Sequence, residues 1–101
     1  MKGIVWAVTI EKANEKLEEI IEEYAKIRIN SVKRVVNLST HISTVTFDNG
    51  DYWQAVQATE QGKGQRCNIS YIDRQLEKYV TTIKIIKQCT IAMPYNAINY
   101  F

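Results

Sequence analysis

Asn49-Gly50 stands between two runs, Ile42–Phe47 and Tyr52–Gln57, that are rich in β-branched and aromatic residues. An Asn-Gly pair in that setting is the strongest short-range hairpin signal, because both central residues of a tight type I′ turn need positive φ. A hairpin here fixes the register of two strands and limits where the neighbouring elements can lie. Gly62-Lys63-Gly64 punctuates a loop, and Arg66–Asp73, with Cys67, Ile69 and Tyr71 alternating with Asn68, Ser70 and Ile72, reads as a further strand ending on an acid. The rest of the chain must cover this Ser43–Arg74 stretch.

Ile4-Val5-Trp6-Ala7-Val8 is a continuous apolar run. Such a run suits a strand covered on both faces, and it is assigned to the centre of the sheet. Thr9 comes next as an N-cap, and Ile10, Ala13, Leu17, Ile20, Ile21, Tyr24 and Ile27 recur on one helical stripe opposite a glutamate-rich face. Val32–Leu38 suits an edge strand, with Lys33 and Arg34 discouraging further pairing. From Gln75, the residues Leu76, Tyr79, Val80, Ile83 and Ile86 trace a second amphipathic helix, leaving Lys78, Lys84 and Lys87 for its wet face. Trp53 is assigned to packing, and Thr90–Phe101, which holds Pro94, is either a last strand or an extension over the core. The expected class is α/β, with α+β left open: a single small mixed sheet of about five strands with two amphipathic helices. The order is β-α-β-β-β-β-α with an irregular or strand-like tail. A chain of 101 residues in this pattern is expected to be one domain, 1–101.

The inventory of reactive groups is sparse. Cys67 and Cys89 have no CxxC partner and His41 has no neighbouring cysteine, so neither a metal nor a cofactor is expected. The apolar run near the start is too short for a membrane span or a secretory core, so a cytoplasmic location with reduced, buried cysteines is expected. No nucleophile stands beside a base and no carboxylate pair marks a cleft, so no catalytic residue is assigned. Charge is unevenly spread. Residues 1–30 carry five Lys and Arg against six Glu, whereas residues 62–101 carry six Lys and Arg against Asp73 and Glu77. Lys63, Arg66, Arg74, Lys78 and Lys84 are therefore the candidates for contact with an anionic partner. Asp73, at the end of its strand, has two open readings: a ligand-facing acid of the kind found at the carboxyl ends of open α/β sheets, or the cap of the next helix.

Phe47-Asp48-Asn49-Gly50, Lys63-Gly64 and the strand Asn68–Asp73 together resemble the ATPase core of phage terminase large subunits. In that family a strand ending apolar-x-Phe-x-Asn-Gly leads to an Arg-Gly loop and a Walker B strand, and residues 2–28 are similar to the unit that precedes this element. The resemblance implies a P-loop-like core of phage or mobile-element origin. This sequence departs from the pattern in two places: GxxxxGK[ST] is absent, and Arg74 stands where the family has an acid after Asp73. The expectation is a non-enzymatic binding protein that occludes a host protein or protein–RNA complex of the anti-defence (anti-CRISPR) type, with nucleic acid as a further partner class and no membrane. The alternative is a nucleotide-binding or nucleotide-sequestering module using Thr9, Lys63, Gly64, Asp73 and Arg74. Monomer and dimer are both open.

Overall fold

The computed structural model describes residues 1–26, 32–37, 42–47, 49–58, 66–90 and 97–101, with the side chains of 24–26, 32–37, 42, 43 and 97 left aside. The elements run β1 (Lys2–Ala7), α1 (Ile10–Lys26), β2 (Val32–Asn37), β3 (Ile42–Phe47), β4 (Tyr52–Gln57), β5 (Ile69–Ile72), a 3-10 turn (Arg74–Lys78), α2 (Val80–Cys89) and β6 (Ala97–Tyr100). They form one mixed α/β sheet in the order β2-β3-β4-β1-β5-β6. β1 pairs in parallel with β4 on one side and β5 on the other, and β6 continues the parallel block beyond β5. β3 and β2 extend it antiparallel beyond β4. The apolar run thus occupies the centre, the Lys33-Arg34 strand is an edge, and the strand-like option for the tail holds as the sixth strand.

Alternation along β1 divides the core. Ile4 and Trp6 face Val56, Ile72, Leu76, Ile86 and Cys89, while Val5 and Ala7 face Ala13, Leu17, Ile20, Val45, Phe47, Trp53 and Ala55. The two helices therefore cover opposite faces of the sheet. Gly3 matters to the second layer. It lies directly across from Trp53 in the β1–β4 register, and its missing Cβ leaves room for the indole to lie over β1. Through that gap the Trp53 ring reaches Tyr71 on β5, with centroids 5.7 Å apart. On the other face the Trp6 indole N–H donates to Ser70 Oγ at 3.0 Å, Ser70 Oγ lies 2.7 Å from Thr90 Oγ1, and Thr90 donates to Ile86 O at 2.8 Å. A buried chain of hydroxyls thus joins β1, β5 and α2 with its polar atoms satisfied.

Two local expectations need correction. The β3–β4 loop is not closed by a type I′ pair. Gly50 N donates to Phe47 O, Phe47 N donates to Asp51 O, and the positive φ among the described glycines falls on Gly50 at 89°. That bonding belongs to a three-residue loop ending on a left-handed glycine. The second helix is not continuous from Gln75. Leu76 N bonds Asp73 O and Tyr79 N bonds Leu76 O, both spanning three residues, and Tyr79 (φ −99°, ψ 79°) separates the 3-10 turn from α2. The tighter turn lets Leu76 reach the core, fully buried, while Tyr79 and Val80 remain 45% and 66% exposed. A single helix would have placed all three on one stripe.

Candidate functional site

Because β1 and β5 are adjacent and parallel, their carboxyl ends lie side by side, and the start of α1 rises from the same edge. Asp73 closes this corner. Its side chain is 0% exposed and both oxygens are engaged: Oδ1 accepts from Lys12 Nζ at 2.7 Å and from Gln75 N at 2.9 Å, and Oδ2 accepts from Val8 N at 3.2 Å. One carboxylate therefore ties the end of β1, the first turn of α1 and the 3-10 turn that it caps. The capping option for Asp73 is the one the geometry realises.

Burial alone would raise the Asp73 carboxyl. The Lys12 hydrogen bond, followed by the Gln75 and Val8 amides and the Lys12 charge, outweighs it and holds the group below the usual carboxylate range. A depressed folded-state value contributes stability that is whole above the unfolded carboxylate value, about 3.9, and is lost as pH falls through the folded value. Thermal midpoints are therefore expected to hold from neutrality to about pH 5 and to fall below about pH 4. Asp73→Asn is expected to flatten that acid limb, which circular-dichroism melts across pH would check.

Thr9 acts as the N-cap expected of it: its Oγ1 accepts from Lys12 N at 3.2 Å and its carbonyl from Ala13 N at 3.2 Å. Lys63 and Gly64 lie outside the described residues, as does His41. Of the alternative nucleotide set, Thr9, Asp73 and Arg74 meet at one corner, with Thr9 and Asp73 bonded internally and Arg74 exposed.

Arg66, Arg74, Lys78 and Lys84 are all exposed, and Lys87 with them. Cys67 N donates to Cys89 O, so α2 runs back along β5 and ends beside its start. The cations are consequently strung along one helical layer, from Arg74 and Lys78 at one end, through Lys84, to Lys87 and Arg66 at the other. Arg74–Cys89 carries four Lys and Arg against Glu77, a net of +3, and Ile10–Lys26 on the opposite face carries three Lys against six Glu, a net of −3. Glu11, Glu15, Glu18, Glu19, Glu22 and Glu23 are all exposed. Lys12 is held by Asp73, and Lys16 Nζ sits 3.1 Å from Glu19, 5.2 Å from the Tyr71 ring centroid and 5.7 Å from that of Phe101. The sequence showed the charge asymmetry; the topology adds that it falls across the sheet. The Lys12 partner of Asp73 was missed, since 61 residues separate them, but it follows once β1 and β5 are neighbours.

No protein-family model and no curated protein matches this chain. Solved structures do. The large terminase of a thermophilic bacteriophage is similar with a TM-score of 0.65 at 10% identity, over 98% of this chain and 25% of that one. The same terminase in complex with ADP gives 0.63 at 10% identity over the same shares, 98% and 25%. A mutant ATPase domain of the Thermus phage P74-26 large terminase gives 0.53 at 12% identity, over 98% of this chain and 46% of that one. The likeness is one of fold, and this chain spans about a quarter of the length of the first of these terminases.

Proposed function

We propose that this chain is a non-enzymatic binding protein of phage or mobile-element type, working by occupying a host macromolecule and not by turning over a substrate. The observation that carries this reading is the state of Asp73. A carboxylate that serves Mg²⁺ must offer oxygens to the ion and its waters. Here both oxygens are spent on Lys12, Gln75 and Val8 beneath a surface that leaves the side chain 0% exposed. The absence of GxxxxGK[ST] from the sequence, and Arg74 at the position after Asp73, support the same reading. The phage origin of the structures that share the fold supports its setting, and occlusion of a defence nuclease or its guide-RNA complex is the activity in view. Nucleotide sequestration draws less support, since Thr9 and Asp73 are already engaged within the fold.

The test is phosphate release from Mg-ATP by the purified chain. Release is expected to match the protein-free blank at every protein concentration. Release that scales with the chain and persists through two orthogonal purifications overturns the reading.

A further inference from the structure

We infer that the 3-10 turn and α2 form a docking face for single-stranded nucleic acid, with Tyr79 as the base-stacking residue and Arg74, Lys78, Lys84 and Lys87 as the phosphate contacts. The inference rests on the non-enzymatic reading and names the partner class for its basic layer. Three observations converge there. First, α2 holds Lys84 and Lys87 and no acid, and the adjoining turn adds Arg74 and Lys78 against Glu77 alone. Second, Tyr79 interrupts this run as a 45% exposed ring, followed by Val80 at 66% exposure. Lys78 Nζ lies 5.4 Å from the Tyr79 ring centroid. The ammonium takes one face of the ring, and the exposure puts much of the remainder in solvent. Third, Tyr79 makes no side-chain hydrogen bond to the first turn of α2, so the positive end of that helix adds to the same field.

An aromatic surface flanked by cations is the combination that binds single strands, because every base has a π-face to stack and every step a phosphate to neutralise. A stacked, closed duplex has no free base face to offer the ring. Lys84 and Lys87 are three apart on α2 and so lie on one side of it, in line with Val80 and just beyond Tyr79. A strand laid along the helix would thus meet the ring first and the two ammonium groups next. The −3 layer across the sheet gives the two helical faces opposite signs, repelling phosphates from α1 and attracting them to the α2 layer.

Fluorescence anisotropy with end-labelled, mixed-sequence DNA and RNA single strands, and with the matching duplex, tests this across a salt series. The wild-type chain is expected to bind single strands saturably, with log affinity falling against log salt at a slope of about −3 for four phosphate contacts. Lys84→Glu with Lys87→Glu should bring the slope to about −1.5. Tyr79→Ala should weaken binding roughly 5- to 100-fold and leave the slope unchanged. These side chains are exposed, and wild-type melting of each variant confirms that the fold is intact. No binding at low salt overturns the inference, and so does duplex binding that matches single strands and ignores Tyr79→Ala. Capture of an acidic protein by α2 without any oligonucleotide binding also overturns it, yet leaves the non-enzymatic reading standing. Phosphate release would remove that reading while leaving the oligonucleotide result in place.

Discussion

Asp73→Ala is expected to destabilise the fold by about 3 kcal/mol, lowering the thermal midpoint by on the order of 15 °C in a domain of this size. The variant removes an acceptor from two backbone amides, Val8 and Gln75, and strands the Lys12 ammonium at a corner that was closed around a charge. Each orphaned group costs about 1–3 kcal/mol when buried. Lys12 is 35% exposed, so its charge can turn outward, which keeps the total below the full value for a broken buried pair. Lys12→Met leaves both amide bonds in place and should cost only about 1 kcal/mol. Urea titrations of the two single variants and the double variant would measure the coupling between them. An Asp73→Ala protein that melts with the wild type would show that the corner is no structural tie, and would count in favour of a reactive carboxylate there.

Gly3→Ala should cost about 2–3 kcal/mol, near the upper end for overpacking a tight core. A methyl group at this position would overlap the six-membered ring of Trp53, and neither can yield easily. Gly3 belongs to the central strand, held by β4 and β5 together, and the Trp53 side chain is packed among Ala55, Val5 and Leu17 while its ring meets Tyr71. Pairing the change with Trp53→Leu should recover part of the loss, because the smaller side chain vacates the space over β1 while keeping an apolar group there. A Gly3→Ala variant as stable as the wild type, measured by the same urea titration, would mean that Trp53 can leave its seat at little cost.

The parts of the fold that local chemistry decides could be read directly. β1 is an unbroken apolar run because it is buried on both faces, and Thr9 starts α1 because its hydroxyl finds the Lys12 amide. The hairpin strands Ile42–Phe47 and Tyr52–Gln57 keep the limits set by their composition and by the glycine between them. Departures came where a distant group intervened. Asp73 draws the Gln75 amide into a 3-10 turn, so the apolar spacing from Leu76 to Ile86 mimics one helix that is in fact two segments. The basic residues were visible one by one. Their alignment along a single layer was not, because it depends on α2 doubling back along β5, which no spacing rule encodes. The hydroxyls of Ser70 and Thr90 left no signal, since their value lies in meeting each other and the Trp6 N–H in the interior.

β1 sits between two neighbours that reach it late. Its partners lie about 50 residues downstream in β4 and 66 in β5, as the pairs Lys2↔Tyr52 and Gly3↔Ile69 show. Closing loops of that length before any pairing reward arrives puts the cost at the beginning of the folding reaction, which slows it. The β3–β4 hairpin can form locally, but the central strand has no partner until β4, at Tyr52–Gln57, is present, and no second one until β5, at Ile69–Ile72. Completion of the sheet should therefore wait on those later strands, leaving the apolar β1 segment unpaired in the interval.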